Sequence, residues 1–395
     1  MKKNIAFSFL GIVAAMFIAV NANATNGMRM IGFGPVQDSM GGVSVGLPLD
    51  AASILTNPAG MSVLPGRIDF GASYFKPSVD YKATGGANGT EIDSDRGGSP
   101  VPAFGLIIPL GDKFKFGVGA YGVAGMGVDY PANLYGSVTY TSYSQMRFAP
   151  ALSYKINDIV SVGAALNVMH ATMEFNAASA YYQLPHMGAS SLGYGATIGV
   201  LVKPTDMIQI GLAYETKSFF QDFSFNTSAG EDKIEFDQPE IATIGIGIKP
   251  VKDLLIGFDI EWINWSETNG QNLPKYTTNS SSAMPWNLNW NDQFVYKLGV
   301  QYTVNPTVVL RAGYNYGKMP LDSNRAFENI AFPAVSEHHF TAGMGINFNK
   351  QFTLNIGGMY SPSAKIDGSN MTQGISSYDT EMSQYSLDMG VTYTF

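Results

Sequence analysis

The chain ends in YSLDMGVTYTF, Tyr385–Phe395. Every second residue is large and apolar: Tyr385, Leu387, Met389, Val391, Tyr393 and Phe395. Between them stand Ser386, Asp388, Gly390, Thr392 and Thr394. A period of two marks a β-strand, because successive side chains point to opposite faces. VVLRAGYNY (Val308–Tyr316) and FTAGMGINF (Phe340–Phe348) repeat the pattern. A two-sheet sandwich also alternates, but its inner face is bulky and its outer face charged. Here the non-apolar face is Gly, Thr, Asn and an occasional charge. That suits a strand with one face in lipid and the other in a lumen.

About fourteen such segments follow one another, starting near Arg67, Pro100, Lys113, Tyr143, Asp158, Ser190, Asp206, Glu240, Lys252, Gln293, Pro306, His338, Gln351 and Ser383. Many reach the ~9–11 residues that a tilted strand needs to cross a bilayer. Short connections such as INDI (Ile156–Ile159), KPTD (Lys203–Asp206) and VNPT (Val304–Thr307) alternate with long ones, at 78–99, 127–142, 176–189, 227–239, 268–292, 319–337 and 366–382. Short periplasmic turns and long extracellular loops are the outer-membrane arrangement, and an even strand count leaves both chain ends periplasmic. The expected fold is all-β: a transmembrane antiparallel β-barrel of about fourteen strands with an N-terminal plug in its lumen.

Composition agrees. Charged residues make up 14% of the 395 residues, with 44 Gly, 24 Phe, 21 Tyr and no Cys, against roughly 25% charged in soluble domains. No stretch after the leader has the ~18 apolar residues of a membrane helix. The leader, MKKNIAFSFLGIVAAMFIAVNANA, has Lys2 and Lys3, then an apolar run, then Ala22-Asn23-Ala24. This is the order of an export signal cleaved after an A-x-A site. A retained anchor is the alternative, and the small residues at 22 and 24 argue against it. The expected domains are a signal peptide (1–24), a hatch (25–66) and a barrel (67–395), in the bacterial outer membrane. Removing the two leader lysines takes the net charge from −8 to −10. That disfavours nucleic acid as a partner, which needs a basic face. The absence of Cys excludes disulfide frameworks and thiolate chemistry.

Residues 25–65 do not alternate. They are rich in Gly and Pro, with room for a single helical turn around Asp50 to Leu55. About forty residues without strand pattern are too many for a simple tail. A barrel this wide leaves a channel unless something fills it. A segment folded back into the lumen would fill it.

DSMGGVSVGLPLDAASILTNPAGMSVLPG, Asp38–Gly66, is similar to the N-terminal hatch of the FadL-type outer-membrane transporters of long-chain fatty acids and other hydrophobic compounds. AYGVAGMGVDYPANLYG (Ala120–Gly136), LSYKINDIVSVGAALNVMHATMEF (Leu152–Phe175) and QPEIATIGIGIKPVKDLLIGFDIEWINWS (Gln238–Ser266) resemble later parts of the same family. The resemblance spans the mature chain. It implies passive uptake: capture by extracellular loops, an apolar pocket in the barrel, hatch movement, and sideways exit into the bilayer at a third-strand kink. Sideways exit spares an apolar solute a return to water, which costs about 0.8 kcal/mol per CH₂.

The resemblance also implies site residues. Asn57, Pro58, Ala59 and Gly60 form the hatch motif, either as a latch touching the third-strand kink or as an Asn-Pro turn that shapes the plug. Gly122 and Gly125 mark the lateral gate, in a strand with Gly117, Gly119 and Gly127, since Gly within a strand often marks a bulge. The alternative is that these glycines only thin the wall where the hatch approaches. Met28, Ile31, Phe33, Tyr121 and Met169 are the expected apolar lining. Fatty-acid members seat the carboxylate on basic residues, and Thr172 aligns with one of these, which favours an uncharged substrate. By parity Arg147, Lys297 and Arg311 also face the lumen, where Asp259 or Glu261 can pair with them.

The expected partners are a hydrophobic small molecule, outer-membrane lipid and lipopolysaccharide, and the barrel-insertion machinery, because Phe395 resembles its closing-strand signal. No cofactor or metal is expected, and the resemblance implies a monomer. A general porin or structural barrel is the alternative, followed by an outer-membrane hydrolase. For the latter the four histidines, His170, His186, His338 and His339, offer at most a rim site at Glu337–His338–His339.

Overall fold

The period-two segments form fourteen antiparallel strands: β1 (Arg67–Gly85), β2 (Ser99–Leu110), β3 (Phe114–Met126), β4 (Thr139–Lys155), β5 (Val160–Ala178), β6 (Gln183–Val202), β7 (Ile208–Glu215), β8 (Ile241–Val251), β9 (Leu254–Ile263), β10 (Gln293–Thr303), β11 (Val308–Gly317), β12 (His338–Asn347), β13 (Phe352–Asn370) and β14 (Ile375–Thr394). The computed structural model describes residues 26–85, 91–131, 139–178, 183–227, 230–269, 276–277, 288–326, 329–370 and 375–395. The expected signal peptide lies outside the described residues. β1 pairs with β14 from Arg67↔Thr394 to Gly85↔Ile375, which closes the sheet into a barrel. A separate three-stranded sheet (Phe223–Thr227, Gly230–Ile234, Tyr276–Thr277) belongs to the long connections.

Alternation decides what each face meets. Leu387 and Met389 are 64% and 61% exposed on the outer wall, while Asp388 between them is 2% exposed. Phe70, Leu166, Ile198, Ile244, Phe294 and Phe340 continue the outer apolar surface. A concavity of about 650 Å³ lies on this outer wall among Ile198, Leu212, Ile244, Trp262 and Phe294, and so belongs to the lipid-facing surface. The short turns repeat one device. Asn157, Asn305 and Asn349 each accept two backbone N–H groups with their side-chain oxygen, at 2.8 to 3.0 Å. Such a side chain substitutes for a backbone turn bond.

Six strands are longer than expected. β1, β5 and β13 have 19 residues, β6 and β14 have 20, and β4 has 17. A strand of that length measures about 60 Å, and even tilted by ~45° it outruns a ~30 Å hydrocarbon core. The expected loops 78–99, 176–189 and 366–382 are therefore corrected: β1 continues to Gly85, β5 ends at Ala178 with β6 starting at Gln183, and β13 ends at Asn370 with β14 starting at Ile375.

Residues 26–66 run through the lumen and are mostly buried. They hold two one-turn helices, α1 (Pro35–Asp38) and α2 (Ser53–Thr56), and a 3-10 turn, Pro58–Val63. α2 falls near the expected turn; α1 was not expected. What seats this segment is glycine. In twelve of the fourteen strands, a Cβ added to an inward glycine would strike residues of this segment, and in β1 a Cβ on Gly71 would press on Pro35 at 3.3 Å. These glycines pair directly across the wall: Gly71↔Gly390, Gly105↔Gly119, Gly163↔Gly199, Gly211↔Gly245, Gly257↔Gly299 and Gly343↔Gly357 among them. Glycine here permits close backbone approach. β4 alone has no glycine and presents Ala149 and Ala151 instead.

Candidate functional site

The wall breaks in one place among the described strands. β2 and β3 pair from Leu110↔Phe114 to Ala103↔Tyr121, and there the pairing stops. β2 continues to Ser99 alongside β1. β3 continues to Met126 alongside β4, with its register shifted between Gly122 and Ala124. Val123 is thus a bulge residue, and a bulge bends its strand and frees its backbone from the ladder. The freed groups pair with the N-terminal segment. Met30 N–H donates to the Val123 carbonyl (3.1 Å), Gly125 N–H donates to the Met28 carbonyl (2.9 Å), and Arg29 bridges Ala124. The upper half of β3 stays paired with β4 but has exchanged β2 for a partner inside.

Both expected gate glycines lie on this bent half. A Cβ on Gly122 would stand 2.6 Å from Val101 Cγ1, so the Val101 side chain occupies the space beside the break. The opposite edge, Ser99–Pro102, contains Pro100 and Pro102. Proline has no N–H to leave unsatisfied and is tolerated at an unpaired edge. Sequence reading passed over these two residues, although two prolines in an alternating segment signal an edge. Gly117 and Gly119, lower on β3, lie against Ile54, Leu55 and Met61, where they thin the wall.

Met28, Ile31, Phe33, Tyr121 and Met169 are all buried in one hydrophobic cluster behind the break. The Phe33 and Tyr121 rings are 6.5 Å apart. Gln145 Nε2 donates to Met169 Sδ (2.8 Å) and Gln238 Nε2 to Met28 Sδ (3.4 Å). The cluster is tightly filled: the cavity beside it, among Ile31, Phe33, Leu55, Arg29 and Glu215, is about 20 Å³, room for about one water. Above it the extracellular connections turn inward. Thr141 Oγ1 donates to the Ala331 carbonyl (2.6 Å), Trp290 Nε1 to Asn329 Oδ1 (2.7 Å) and Gln384 Nε2 to Ser336 Oγ (2.9 Å).

The Asn57–Gly60 motif lies elsewhere. Asn57 Nδ2 donates to the Val45 carbonyl (3.0 Å) and to the Val200 carbonyl of β6 (3.1 Å). Its Oδ1 accepts from Ala59 N–H (3.2 Å) and caps the 3-10 turn. Gly163 and Gly199 make room for Pro58, Ala59 and Asn57, and Gly60 packs on Pro48. The latch reading is therefore corrected. The motif shapes the plug against β5 and β6, and residues 28–30 touch the third-strand kink instead. The extended backbone of Asn57 (φ −151°) turns its amide toward β6.

The lumen charges are met by opposite charges or by neutral hydrogen-bonding groups. Lys297 Nζ lies 3.0 Å from Glu261 Oε2. Asp259 accepts from the N–H groups of Ser44 (2.8 Å), Val45 (2.9 Å) and Gly46 (3.3 Å). Arg311 donates to Gln301 and Asn355. Arg67 donates to the Leu49 carbonyl (2.9 Å), and Asp69 accepts from Ala51 N–H (2.7 Å). Arg147 pairs with Glu215, which also meets Arg29 at 3.3 Å. Sequence reading missed Arg29 and Glu215, because 186 positions separate them. Thr172 Oγ1 lies 2.8 Å from Ser144 Oγ. Within the N-terminal segment, burial raises Asp38 well above the usual carboxylate range, helped by Asp388 and Asp50. Burial and then Asp69 raise Asp50 to about 7, while Arg67 and Arg311 pull the other way.

No serine–histidine–acid arrangement appears among the described residues. His338 Nδ1 meets Tyr314 Oη (2.6 Å) beside the Tyr316 ring. His339 is buried in the lumen. The His186 side chain lies outside the described residues. One acidic trio, Asp80, Glu91 and Asp93, sits at the extracellular end of β1.

A family model described as outer membrane protein transport protein (OMPP1/FadL/TodX) matches residues 38–395. The crystal structure of the Pseudomonas putida toluene transporter TodX superposes with a TM-score of 0.76 at 18% identity, over 92% of this chain and 99% of that one. A Pseudomonas aeruginosa FadL homologue gives 0.75 at 17%, over 93% and 100%. The Ralstonia pickettii toluene transporter TbuX gives 0.68 at 18%, over 92% and 99%. At these identities the likeness is one of fold. No curated protein matches the chain.

Proposed function

Because this outer-membrane barrel belongs to the transport protein family of FadL and TodX, we propose that it takes up hydrophobic small molecules passively, through the apolar cluster behind the β2–β3 break and out sideways into the bilayer. The break carries the reading. Its inner side is lined by Met28, Phe33, Tyr121 and Val101, its β2 edge carries Pro100 and Pro102, which have no N–H to leave unsatisfied, and its outer side faces lipid. An apolar solute on this route never crosses water. Residues 26–66 act as the hatch that must shift to open a pocket, since the cavity beside the apolar cluster has room for about one water. The filled lumen weighs against a general porin, and the paired histidine weighs against a hydrolase. The working unit is a monomer, with its complete path inside one barrel.

The test is uptake of radiolabelled oleate and toluene by a host lacking its own transporter, with and without this gene. A Val101→Cys/Gly122→Cys pair, in a chain without other cysteines, locks the break on oxidation. Uptake of either solute, cut about tenfold by oxidation and restored by a reductant, is the expected result. Uptake indifferent to the lock removes the sideways route.

A further inference from the structure

Six side-chain atoms without a hydrogen bond among the described residues gather on one side of the lumen. Asn315 and His339 face each other across β11 and β12. Ser361 on β13 follows one step beyond the Phe340↔Tyr360 pair, in the same inward row. All three residues are 0% exposed. Asn315 Oδ1, both ring nitrogens of His339 and Ser361 Oγ are the first four atoms; the Asn315 main chain approaches the imidazole without forming a hydrogen bond of full geometry. Asn26 joins them from the N-terminal segment. Its Oδ1 comes 3.3 Å from where a Cβ on Gly317 would stand, the next inward position above Asn315, and both ends of its amide are unmet. The floor of the row is the plug, since Asn315 Nδ2 donates to the Gly41 carbonyl (3.2 Å) and Gly41 N–H donates to Thr341 Oγ1 (3.0 Å). Its ceiling is the inward-turned connection at Ser336, held by Gln384, which pairs with Ser361 in the ladder.

Buried polar groups are nearly always satisfied, so such a row is a place for water or for the polar group of a ligand. Its chemistry is neutral. The next residue along the ladder from Asn315 is Lys297, and Glu261 holds that cation at 3.0 Å. The amide oxygens accept, Asn26 Nδ2 donates, the Ser361 hydroxyl does both, and a neutral imidazole offers one donor and one acceptor. Around the row the surface is apolar: Met359 and Val335 belong to the same cluster as Met28 and Phe33.

We propose that Asn315, His339, Ser361 and Asn26 form a subsite for a neutral hydroxyl group, so that the preferred solutes are hydrophobic alcohols and phenols rather than the matching hydrocarbons or carboxylates. This deepens the uptake reading and rests on it. A hydroxyl both donates and accepts, as water does, and so replaces water in the row without leaving the row unmet. A hydrocarbon of the same shape displaces the water and returns nothing, and a site built to bond a hydroxyl discriminates against the analogue that lacks it. A carboxylate only accepts; it meets the amide oxygens of Asn315 and Asn26 while Lys297 is already paired.

The test is uptake of radiolabelled 4-nonylphenol, nonylbenzene and ionised 4-nonylbenzoate, which share one apolar body, by a host lacking its own transporter. Wild type is expected to take up the phenol about tenfold faster than the hydrocarbon or the acid. His339→Leu is expected to slow the phenol and speed the hydrocarbon, bringing the two within about twofold. Ser361→Ala is expected to narrow the ratio by about threefold, and carries the test if His339→Leu does not form a heat-modifiable barrel. A merely structural role would scale all three solutes together and leave their ratios in place. Equal uptake of phenol and hydrocarbon by wild type, uptake of the acid above that of the phenol, or a ratio unmoved by both variants would overturn the subsite while leaving the uptake reading standing. If none of the three solutes enters, the uptake reading has failed and the subsite with it.

Discussion

Replacing Asp259 by Ala should unseat the plug while leaving the barrel intact. The buried carboxylate receives three consecutive N–H groups, from Ser44, Val45 and Gly46, at 2.8, 2.9 and 3.3 Å. A hydrogen bond to a charged acceptor contributes about 1.5–3 kcal/mol net, and three bonds sharing one carboxylate do not simply add. Two bonds at the lower figure give about 3 kcal/mol, with the third N–H met by water filling the vacated space. At about 1.4 kcal/mol per tenfold, the ratio of seated to unseated plug falls roughly 100-fold. The barrel ladders do not pass through this side chain, so thermal unfolding should move little. The assay is ion conductance of single proteins in planar bilayers. Wild type should be nearly silent, and Asp259→Ala should spend roughly 100-fold more time conducting. Conductance unchanged within about twofold in a folded variant, or a large loss of barrel stability without conductance, would refute the view that this carboxylate holds the plug.

Gly199→Val should act from the other side of the lumen. Its side chain would collide with Asn57 Oδ1, at a cost of about 1–3 kcal/mol, and the expected result is leak conductance together with faster proteolysis near residue 57. Asp50 gives plug seating a pH dependence. It keeps its proton to about 7 when buried but titrates near about 3.9 when exposed. Through Asp50, seating is therefore strongest below about pH 4 and weakens as pH rises to about 7; conductance scanned over this range should rise accordingly, and Asp50→Asn should make the rise shallower, leaving the contribution of the same sign from Asp38. Removing Phe395, half-exposed beside Tyr393 on the outer wall, should lower the yield of heat-modifiable barrel in membranes, and an unchanged yield would remove its role in assembly.

The barrel was legible wherever a strand has lipid on one face and the lumen on the other. FTAGMGINF alternates because Phe340 and Met344 meet lipid while Thr341 and Gly343 meet the plug. The upper halves of the long strands, such as SPSAKIDGSN in β13 and ISSYDTEMSQ in β14, have no lipid to enforce an apolar face, and their sequence lost the period although the ladder continues. The absence of any period in residues 25–65 set that stretch apart from the strands, but the buried path of residues 26–66 was not legible, because tertiary contacts with the wall fix that path. The kink was readable in the glycines of β3. Its inner partner was not, since nothing local in Met28-Arg29-Met30 announces a pairing with Val123–Gly125, and the Arg29–Glu215 contact joins distant parts of the chain.

The glycine seat has a consequence for how such a transporter can change. Its surface is main chain almost all the way round, so it has no rotamers to freeze when the plug docks and no side chains to rearrange as the plug leaves. Recognition there rests on backbone shape, and any larger residue in the ring is a loss. The upper lumen, around Tyr121 and Met169, is built of side chains and lies outside the glycine ring. Solute preference can drift through substitutions there while the docking surface stays constant, which lets one socket and one stopper serve many cargoes.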